Sequence, residues 1–441
     1  MPVPFSWTAL VFAAALAGCA THTDRLREIR SEFYAGNVEL ASTKIDNYIK
    51  SYGREADVLK LDQAVVHLSA GRPRDAERLL REVRDSFDYL DQTDLAEKSV
   101  SMLTDDTHTA YAGEDYEKIL IRALLALANM MGDGGDATAY AFQVGDLQQR
   151  IIQAGADETH ENPKLNYKLV ALGPYLQGLL AEQTHTEYDD AARAWAKVVA
   201  WEPGFPYGPV NLDRAQHGRH SARGNGCLHV FALVGRGPYK EEVSEVPSTV
   251  ALLVADRIVS ATTRHSLPPT IAPVKVPKVV SSLNLTHGVQ VSVDQHFAGA
   301  TATVTDVGTL AVQQYQAIYP RVLGRAVARR VLKKGIVYAG KEAGGVNNGS
   351  PINLALDVAG VVWEASESAD TRCWGLLPDQ IQVLRLELPA GEYKIGVHPD
   401  GGFGRIEHAD VTVRIGDGRN TYLLANFADG RLIGKVTTSE K

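Results

Sequence analysis

The chain contains 441 residues, of which 45% are hydrophobic and 22% charged, and its formal net charge is −8. An acidic balance of this size gives no reason to expect a nucleic-acid partner, because nucleic acids attract basic surfaces. The length is sufficient to bury large hydrophobic cores, and it predicts two or three domains.

The first segment of the chain is unlike the rest, because residues 5–17 contain no charged side chain and residues 9–16 are continuously apolar. A membrane-spanning helix needs ~20 apolar residues, so this stretch is too short for one and is typical of a signal-peptide core. A truncated membrane helix and an ordinary secretory signal are the alternatives. Residues 1–7 depart from the usual signal in containing no Lys or Arg.

The apolar stretch leads into Leu-Ala-Gly-Cys at residues 16–19, which resembles the bacterial lipobox. The resemblance implies a signal peptide over residues 1–18, transfer of a diacylglycerol to Cys19 and a short tether over residues 19–23. Two or more acyl chains, palmitate among them, hold a protein on a bilayer at ~0.8 kcal/mol per buried methylene. Ala20 replaces the Asp that the same resemblance associates with retention in the inner membrane. We therefore expect a periplasm-facing protein of the bacterial cell envelope, anchored in the outer membrane.

Two cysteines remain beyond the anchor, Cys227 and Cys373, and both lie in the second half of the chain. An oxidising compartment allows cysteines to pair, so a disulfide between these two is one prediction. Two separately buried thiols are the other.

Residues 24–215 have apolar side chains at three- and four-residue spacing and no alternating pattern, which predicts an all-α segment. A glycine, a small residue and a large apolar residue recur within it, as Gly36, Ala41, Ile45 and again as Gly71, Ala76, Leu80. A third copy contains Gly178, Ala191, Trp195 and Pro203. The spacing is close to the ~34 residues of tetratricopeptide repeats and predicts a solenoid of that kind. A general helical bundle is the alternative.

The pattern changes near residue 205, where prolines and glycines end the helical spacing. Residues 216–226 predict a linker, and residues 227–441 predict an α+β domain. Four prolines within residues 262–280 favour an extended connection or an edge strand, and the turn residues at 389–392 and 416–418 are typical of hairpins. The β-rich runs are residues 228–234, 250–254, 289–293, 301–305, 381–388, 393–397, 411–415 and 422–427.

A helical insert at about residues 306–366 interrupts this domain. Its first helix is predicted over about 306–341, with Pro320 able to bend it. The second is predicted over about 352–364 and is apolar nearly all round, so we expect it to be buried. The sequence thus predicts a multidomain α and α+β protein, with an N-terminal all-α tetratricopeptide-like solenoid and a C-terminal mostly antiparallel sheet carrying a two-helix insert.

Motifs for catalysis are missing from the sequence. It contains no Gly-x-Ser-x-Gly elbow, no His-Glu-x-x-His helix, no Cys-x-x-Cys pair and no complete Walker loop. We therefore expect no catalytic residue, no metal site and no cofactor.

Two groups of residues remain as candidates for binding. Four basic residues at four-residue spacing form one face of a predicted amphipathic helix, namely Arg321, Arg325, Arg329 and Lys333. This face is either solvated or docks on an anionic surface. The second group, Asp370, Arg372 and Trp374, lines a ligand site in one interpretation, because Arg binds carboxylates in a bidentate manner and Trp stacks. In the other, an internal ion pair and a Trp anchor fix the loop.

Three stretches resemble a family of bacterial envelope lipoproteins whose N-terminal halves are tetratricopeptide-like and whose activity is uncharacterised. They are Tyr-x-Gly-x-x-Tyr-Glu at residues 111–117, Arg-Ala-Val-Ala-Arg at residues 325–329 and Asp-x-Arg-x-Trp-x-x-Leu-Pro at residues 370–378. The resemblance implies localisation and architecture, and it implies no activity.

These observations favour a non-catalytic interaction or assembly factor that binds a protein partner of the envelope through its helical repeats. The alternative is a ligand-binding or enzymatic C-terminal domain that uses the Arg372 and Trp374 loop.

Overall fold

The computed structural model describes residues 22–97, 110–156, 161–262, 273–343, 368–402 and 406–439. The signal peptide, Cys19 and the second predicted helix of the insert lie outside these ranges. The first half is helical, as predicted, with α1 His22–Tyr34, α2 Val38–Ser51, α3 Ala56–Ser69, α4 Pro73–Glu97, α5 Asp115–Met131, α6 Ala137–Gln153, α7 Leu172–Gln183, α8 Tyr188–Trp201 and α9 Gly208–Gln216. Two single-turn helices accompany them, Gly53–Glu55 and Pro163–Asn166.

The recurring glycines and small residues have local physical roles. Gly36 and Gly71 adopt φ values of +89° and +69° in the turns after α1 and α3, a conformation that favours glycine. The small residues that follow, Ala41 and Ala76, are fully buried. At Gly178, a Cβ atom would lie 2.7 Å from the Trp195 ring, so glycine is what lets α7 and α8 approach. Successive helices pack on one another along the chain.

The second half is α+β, and its described residues form three sheets. Its elements are β1 Asn225–Val234, β2 Tyr239–Glu245, α10 Thr249–Thr262, β3 Val274–Val280, β4 Gly288–Val293, β5 His296–Ala300, β6 Ala302–Asp306, α11 Val307–Ala343, β7 Gln380–Pro389, β8 Gly391–Asp400, β9 Ala409–Ile415, β10 Asn420–Ala428, β11 Arg431–Leu432 and β12 Thr437–Thr438. The central sheet has the order β11-β10-β1-β7-β6, and β12 also pairs with β10. The outer sheet has the order β5-β4-β8-β9, and β2 pairs with β3 and with no other strand that the structure describes. Only the β1–β10 pair is parallel among these described strands.

The two larger sheets pack face to face, and the helices cover the other face of the central sheet. On β1, Phe231 and Leu233 contact the core of the helical half. The alternate residues Leu228, Val230 and Ala232 belong to a second core, which they share with β4, β8 and β9 of the outer sheet. Because both faces of β1 are buried, the strand is almost continuously apolar. The helices and the central sheet therefore share one hydrophobic core.

The two predicted hairpin turns are corrected by this topology. Residues 389–392 join β7 of the central sheet to β8 of the outer sheet, and residues 416–418 join β9 to β10 in the opposite direction. The neighbours of β7 are β1 and β6. Tight turns with the same residue types therefore serve here to cross between packed sheets.

One predicted strand is a helix. Residues 250–254 lie in α10, whose Ala251, Ala255 and Val259 are spaced by four and pack against α11. β-Branched residues favoured a strand, but this burial on one helical face overrides that weak preference. Of the two alternatives for the proline-containing residues 262–280, an edge strand is present at β3, which contains Pro277 and pairs with β2 and with no other described strand. The first helix of the insert is also present as α11, with Pro320 inside it.

No helix in the described ranges is both long and apolar enough to cross a bilayer.

The shared core leads to a prediction for stability. Replacing the fully buried Phe231 with Ala should lower the free energy of unfolding by ~3–5 kcal/mol, because it removes contacts to the helices and leaves a cavity. Urea unfolding followed by circular dichroism and by tryptophan fluorescence should still give one transition. Phe142→Ala, at a side chain that is 58% exposed, is the matched control and should change little. Separate unfolding of helices and sheet in the variant would contradict a shared core.

Candidate functional site

The Asp370, Arg372 and Trp374 segment lies inside the molecule. Arg372 is 4% exposed and Trp374 is fully buried. The Arg372 guanidinium donates two hydrogen bonds to the Asp370 carboxylate, at 2.9 and 2.7 Å, and lies 5.3 Å over the Tyr111 ring. Burial alone would raise the pKa of Asp370, but the hydrogen bonds and charge of Arg372 outweigh it and lower that pKa. The internal ion pair is therefore the arrangement present, and the segment does not line an open ligand site.

Two buried carboxylates on the helices hold this segment. The backbone N–H of Trp374 donates to Glu117 on α5 at 2.7 Å, and that of Leu376 donates to Asp62 on α3 at 2.8 Å. Glu117 also accepts hydrogen bonds from the hydroxyl of Tyr111 at 2.5 Å and from the backbone of Glu114 at 3.0 Å. Residues 111–117 and 370–378, two of the three stretches that carried the family resemblance, thus meet in one structural junction.

Of the two alternatives for the cysteines, the separately buried thiols are present and the disulfide is not, since Cys227 and Cys373 are both free and buried. Cys227 lies on β1 of the central sheet, and Arg385 of the neighbouring strand β7 donates a hydrogen bond to its sulfur at 2.8 Å. Cys373 lies at the junction described above, and burial followed by the charge of Glu117 raises its pKa to about 12. Burial raises the pKa of Cys227 to about 11. Each thiol therefore belongs to a different part of the interior and stays protonated.

The basic face of α11 is only partly available. Arg321 donates to the backbone carbonyls of Gly155 and Glu161, both at 3.1 Å, and so fixes the insert to the helical half. Arg325 is exposed, and the side chain of Lys333 lies outside the described part. Arg329 is intermediate in exposure. Of the three described side chains, only Arg325 is therefore fully exposed, and Arg321 is committed to the helical half.

The predicted linker contributes to the interior as well. His220 is 2% exposed, and its Nε2 contacts Asn420 Oδ1 at 2.8 Å. His229 on β1 lies 3.3 Å from the same oxygen. Burial lowers the pKa of both imidazoles, which favours their neutral forms. This cluster ties residues 216–226 to the sheet, although Nδ1 of His229 is buried without a hydrogen-bond partner among the described residues.

An open cleft of about 940 Å³ lies where α1 meets the start of β2 and the end of β10. Its volume falls within the ~300–1,000 Å³ of typical ligand pockets. One face of α1 lines the cleft with residues that are three or four positions apart on the helix, namely Thr23, Arg27, Arg30 and Tyr34. Arg236 and Arg431 line it from the second half of the chain. We name these residues the arginine cleft.

The charges in the arginine cleft are unequal. Four arginines line it but only two carboxylates, Glu241 and Asp429. Asp429 pairs with Arg236 at 2.6 Å, and the Arg236 guanidinium lies 4.7 Å over the ring of Tyr34. Arg27 pairs with Asp24 at 2.9 Å and Arg431 with Glu407 at 3.8 Å, both outside the lining. Among the described residues, Arg30 is therefore the one lining arginine without an ion pair.

Arg30 is the arginine most available to a ligand. Its guanidinium lies 4.8 Å over the Tyr239 ring, and within the described ranges it has neither a hydrogen bond nor an ion pair. The hydroxyl of Tyr34, which also lines the cleft, is buried without a hydrogen-bond partner in the same ranges. A planar guanidinium with free donors matches the oxygens of phosphate and carboxylate groups.

No sequence motif marks the arginine cleft. Its residues come from four separate segments, and only the helical spacing of Arg27 and Arg30 on α1 could have indicated a shared face. The chain has no match among family models, curated proteins or solved structures.

The buried carboxyl group at the junction gives a pH-dependent prediction. Burial raises the pKa of Asp62 to about 8, far above its ordinary value, so the folded chain keeps a proton that the unfolded chain loses. The unfolding free energy due to this group therefore falls as the pH rises from about 4 to about 8, by up to ~1.4 kcal/mol per pH unit. Asp62→Asn is neutral throughout and keeps an oxygen for the Leu376 N–H.

The expected result is that Asp62→Asn gains stability relative to the parent between about pH 5 and about pH 8 in urea titrations. Asp146→Asn, at an exposed carboxylate on α6, should show no such trend. A constant difference between Asp62→Asn and the parent across this range would show that Asp62 is ionised in the folded state.

Proposed function

We propose that this chain is a membrane-anchored lipoprotein of the bacterial cell envelope that binds an anionic molecule in the arginine cleft and has no catalytic activity of its own. The observation that carries the binding role is Arg30, which lines the cleft and has neither a hydrogen bond nor an ion pair in the described ranges. The ligand class is a small molecule or head group bearing phosphate or carboxylate oxygens.

The anchoring part of the proposal rests on Cys19 and on the small number of residues between Cys19 and the first helix. Helix α1 starts at His22, inside the segment expected to be a tether, and Thr23 already lines the cleft. Four residues of fully extended chain span at most ~14 Å. A lipid on Cys19 would therefore hold the arginine cleft close to the membrane surface, where phosphate-bearing head groups are concentrated. The outer membrane, with the body facing the periplasm, remains the compartment we propose.

The helical repeats have a different role in this proposal from the one that the sequence favours. Tetratricopeptide-like stacking is supported by the turn glycines and by the packing of each helix on its chain neighbour. However, one face of these helices packs on Phe231, Leu233 and other residues of the central sheet. We infer that the repeats support the sheet and the cleft, and that a protein partner would have to bind elsewhere.

The anchor is tested by Cys19→Ser. The parent chain, expressed in a Gram-negative host, should incorporate labelled palmitate and sediment with membranes. The variant should incorporate no label and move to the soluble fraction, because the serine hydroxyl cannot replace the thiol in lipid transfer. Equal labelling of both proteins would contradict lipidation at Cys19.

Anion binding is tested by Arg30→Gln. In the parent, inorganic phosphate and citrate should raise the thermal midpoint in a saturable manner, because a ligand that binds only the folded state stabilises it. Removing the guanidinium charge should weaken binding by about tenfold or more in calorimetric titration, since bonds to charged groups contribute ~1.5–3 kcal/mol. Arg78→Gln, at an exposed arginine on α4, is the matched control and should bind as the parent does. Equal affinities for Arg30→Gln and the parent would contradict the proposed site.

A further inference from the structure

The outer sheet has a hollow of about 340 Å³ on the face that points away from the core. It is centred on Gly396 of β8, whose neighbours in the sheet are Ser292 of β4 and Asp410 of β9. On β5, Phe297 pairs with Ser292 and continues the same row. The hollow exists because a glycine, with no side chain, stands between residues whose side chains project outward.

Three polar atoms converge over Gly396. A Cβ atom at this position would lie 2.5 Å from Ser292 Oγ, 2.7 Å from His398 Nε2 and 2.9 Å from Asp410 Oδ1. The Ser292 hydroxyl and His398 Nε2 are themselves 3.2 Å apart. The floor of the hollow thus offers a hydroxyl, an imidazole and a carboxylate oxygen within reach of one small group.

The wall of the hollow is aromatic. Phe297 is 70% exposed on its rim, and the rings of His398 and His408 stack with centroids 5.5 Å apart. A large aromatic side chain that is exposed to water forgoes the free energy that burying its ring would give, and its flat face packs well on other flat apolar surfaces. An exposed Phe beside converging polar atoms is an arrangement that suits a ligand with one apolar face and several hydroxyl groups.

The hollow carries little net charge. Lys394 Nζ pairs with Asp410 Oδ2 at 2.8 Å, so the carboxylate is neutralised while its other oxygen faces the hollow. This distinguishes the hollow from the arginine cleft and argues against a phosphate ligand. No group of three potential metal ligands occurs among the residues that the structure describes. Ser292 and His398 lie on an open sheet face, and Asp410 forms an ion pair with Lys394. We therefore assign no nucleophilic role to Ser292.

We propose that this hollow binds a pyranose ring of a neutral glycan. The apolar C–H face of the sugar packs on Phe297, and its hydroxyl groups bond to Ser292, His398 and Asp410 over Gly396. The proposal is independent of anion binding in the arginine cleft, because the two surfaces share no residue.

The test uses two variants that leave the core intact. Phe297→Ala removes an exposed ring, and Gly396→Ala places a methyl group in the hollow against the ends of flexible side chains. Gly145→Ala, at a helical glycine with nothing within 4 Å of the added Cβ, is the matched control for the second variant. The probes are chitotetraose, maltotetraose and cellotetraose, and binding is measured by saturation-transfer NMR and by titration of backbone amide shifts.

The expected result is that at least one tetrasaccharide binds the parent chain and shifts amides of β4, β8 and β9. Phe297→Ala and Gly396→Ala should each weaken it by about tenfold or more. Gly145→Ala and the cleft variant Arg30→Gln should bind it as the parent does. The proposal is overturned if none of the three sugars binds the parent, or if both hollow variants bind with unchanged affinity.

Discussion

Two buried carboxyl groups, on Asp62 and Glu117, accept the backbone N–H groups of Leu376 and Trp374, and the packing of the two halves depends on these contacts. An N–H group left without a partner in the interior costs ~1–3 kcal/mol, and a carboxylate costs more. If the helices separated from the segment before β7, the two N–H groups and the two carboxyl groups would lose their hydrogen-bond partners. The buried Lys240, which pairs with Glu114, adds a charge of opposite sign to the same junction. Polar groups thus fix the orientation that the surrounding apolar core only stabilises.

This packing decides which surfaces remain open for binding. Because the central sheet lies between the helices and the outer sheet, residues on both of its faces are committed to cores. The arginine cleft lies where elements from the two halves meet at an edge, and the hollow lies on the outward face of the outer sheet. A smaller opening of about 170 Å³ lies among α6, α7 and α8. The cleft and the hollow differ in chemistry, since guanidinium groups line the first and a neutralised carboxylate, a hydroxyl and aromatic rings line the second.

The interior also explains why the two thiols are inert. Cys227 contacts Arg385 and lies near His220, whereas Cys373 lies among Tyr111, Tyr116 and Glu117. Burial raises the pKa of both thiols, so neither is present as the thiolate that disulfide exchange requires. An oxidising compartment is therefore compatible with two unpaired cysteines, because separation and protonation protect each one.

The sequence by itself determined the helical first half, the α+β second half and most strands, because these follow from local periodicity, turn residues and proline. It placed Gly36 and Gly71 in turns and Pro277 on an edge strand for the same local reasons. Only the tertiary structure decided that residues 250–254 are helical and that tight turns cross between sheets, since burial against distant elements determines both. The same is true of Arg372, which is buried with Asp370 against the ring of Tyr111, and of both binding sites. Arg30 with Arg236, and Gly396 with Ser292, are far apart in the chain, and no local pattern reports which distant side chains a fold brings together.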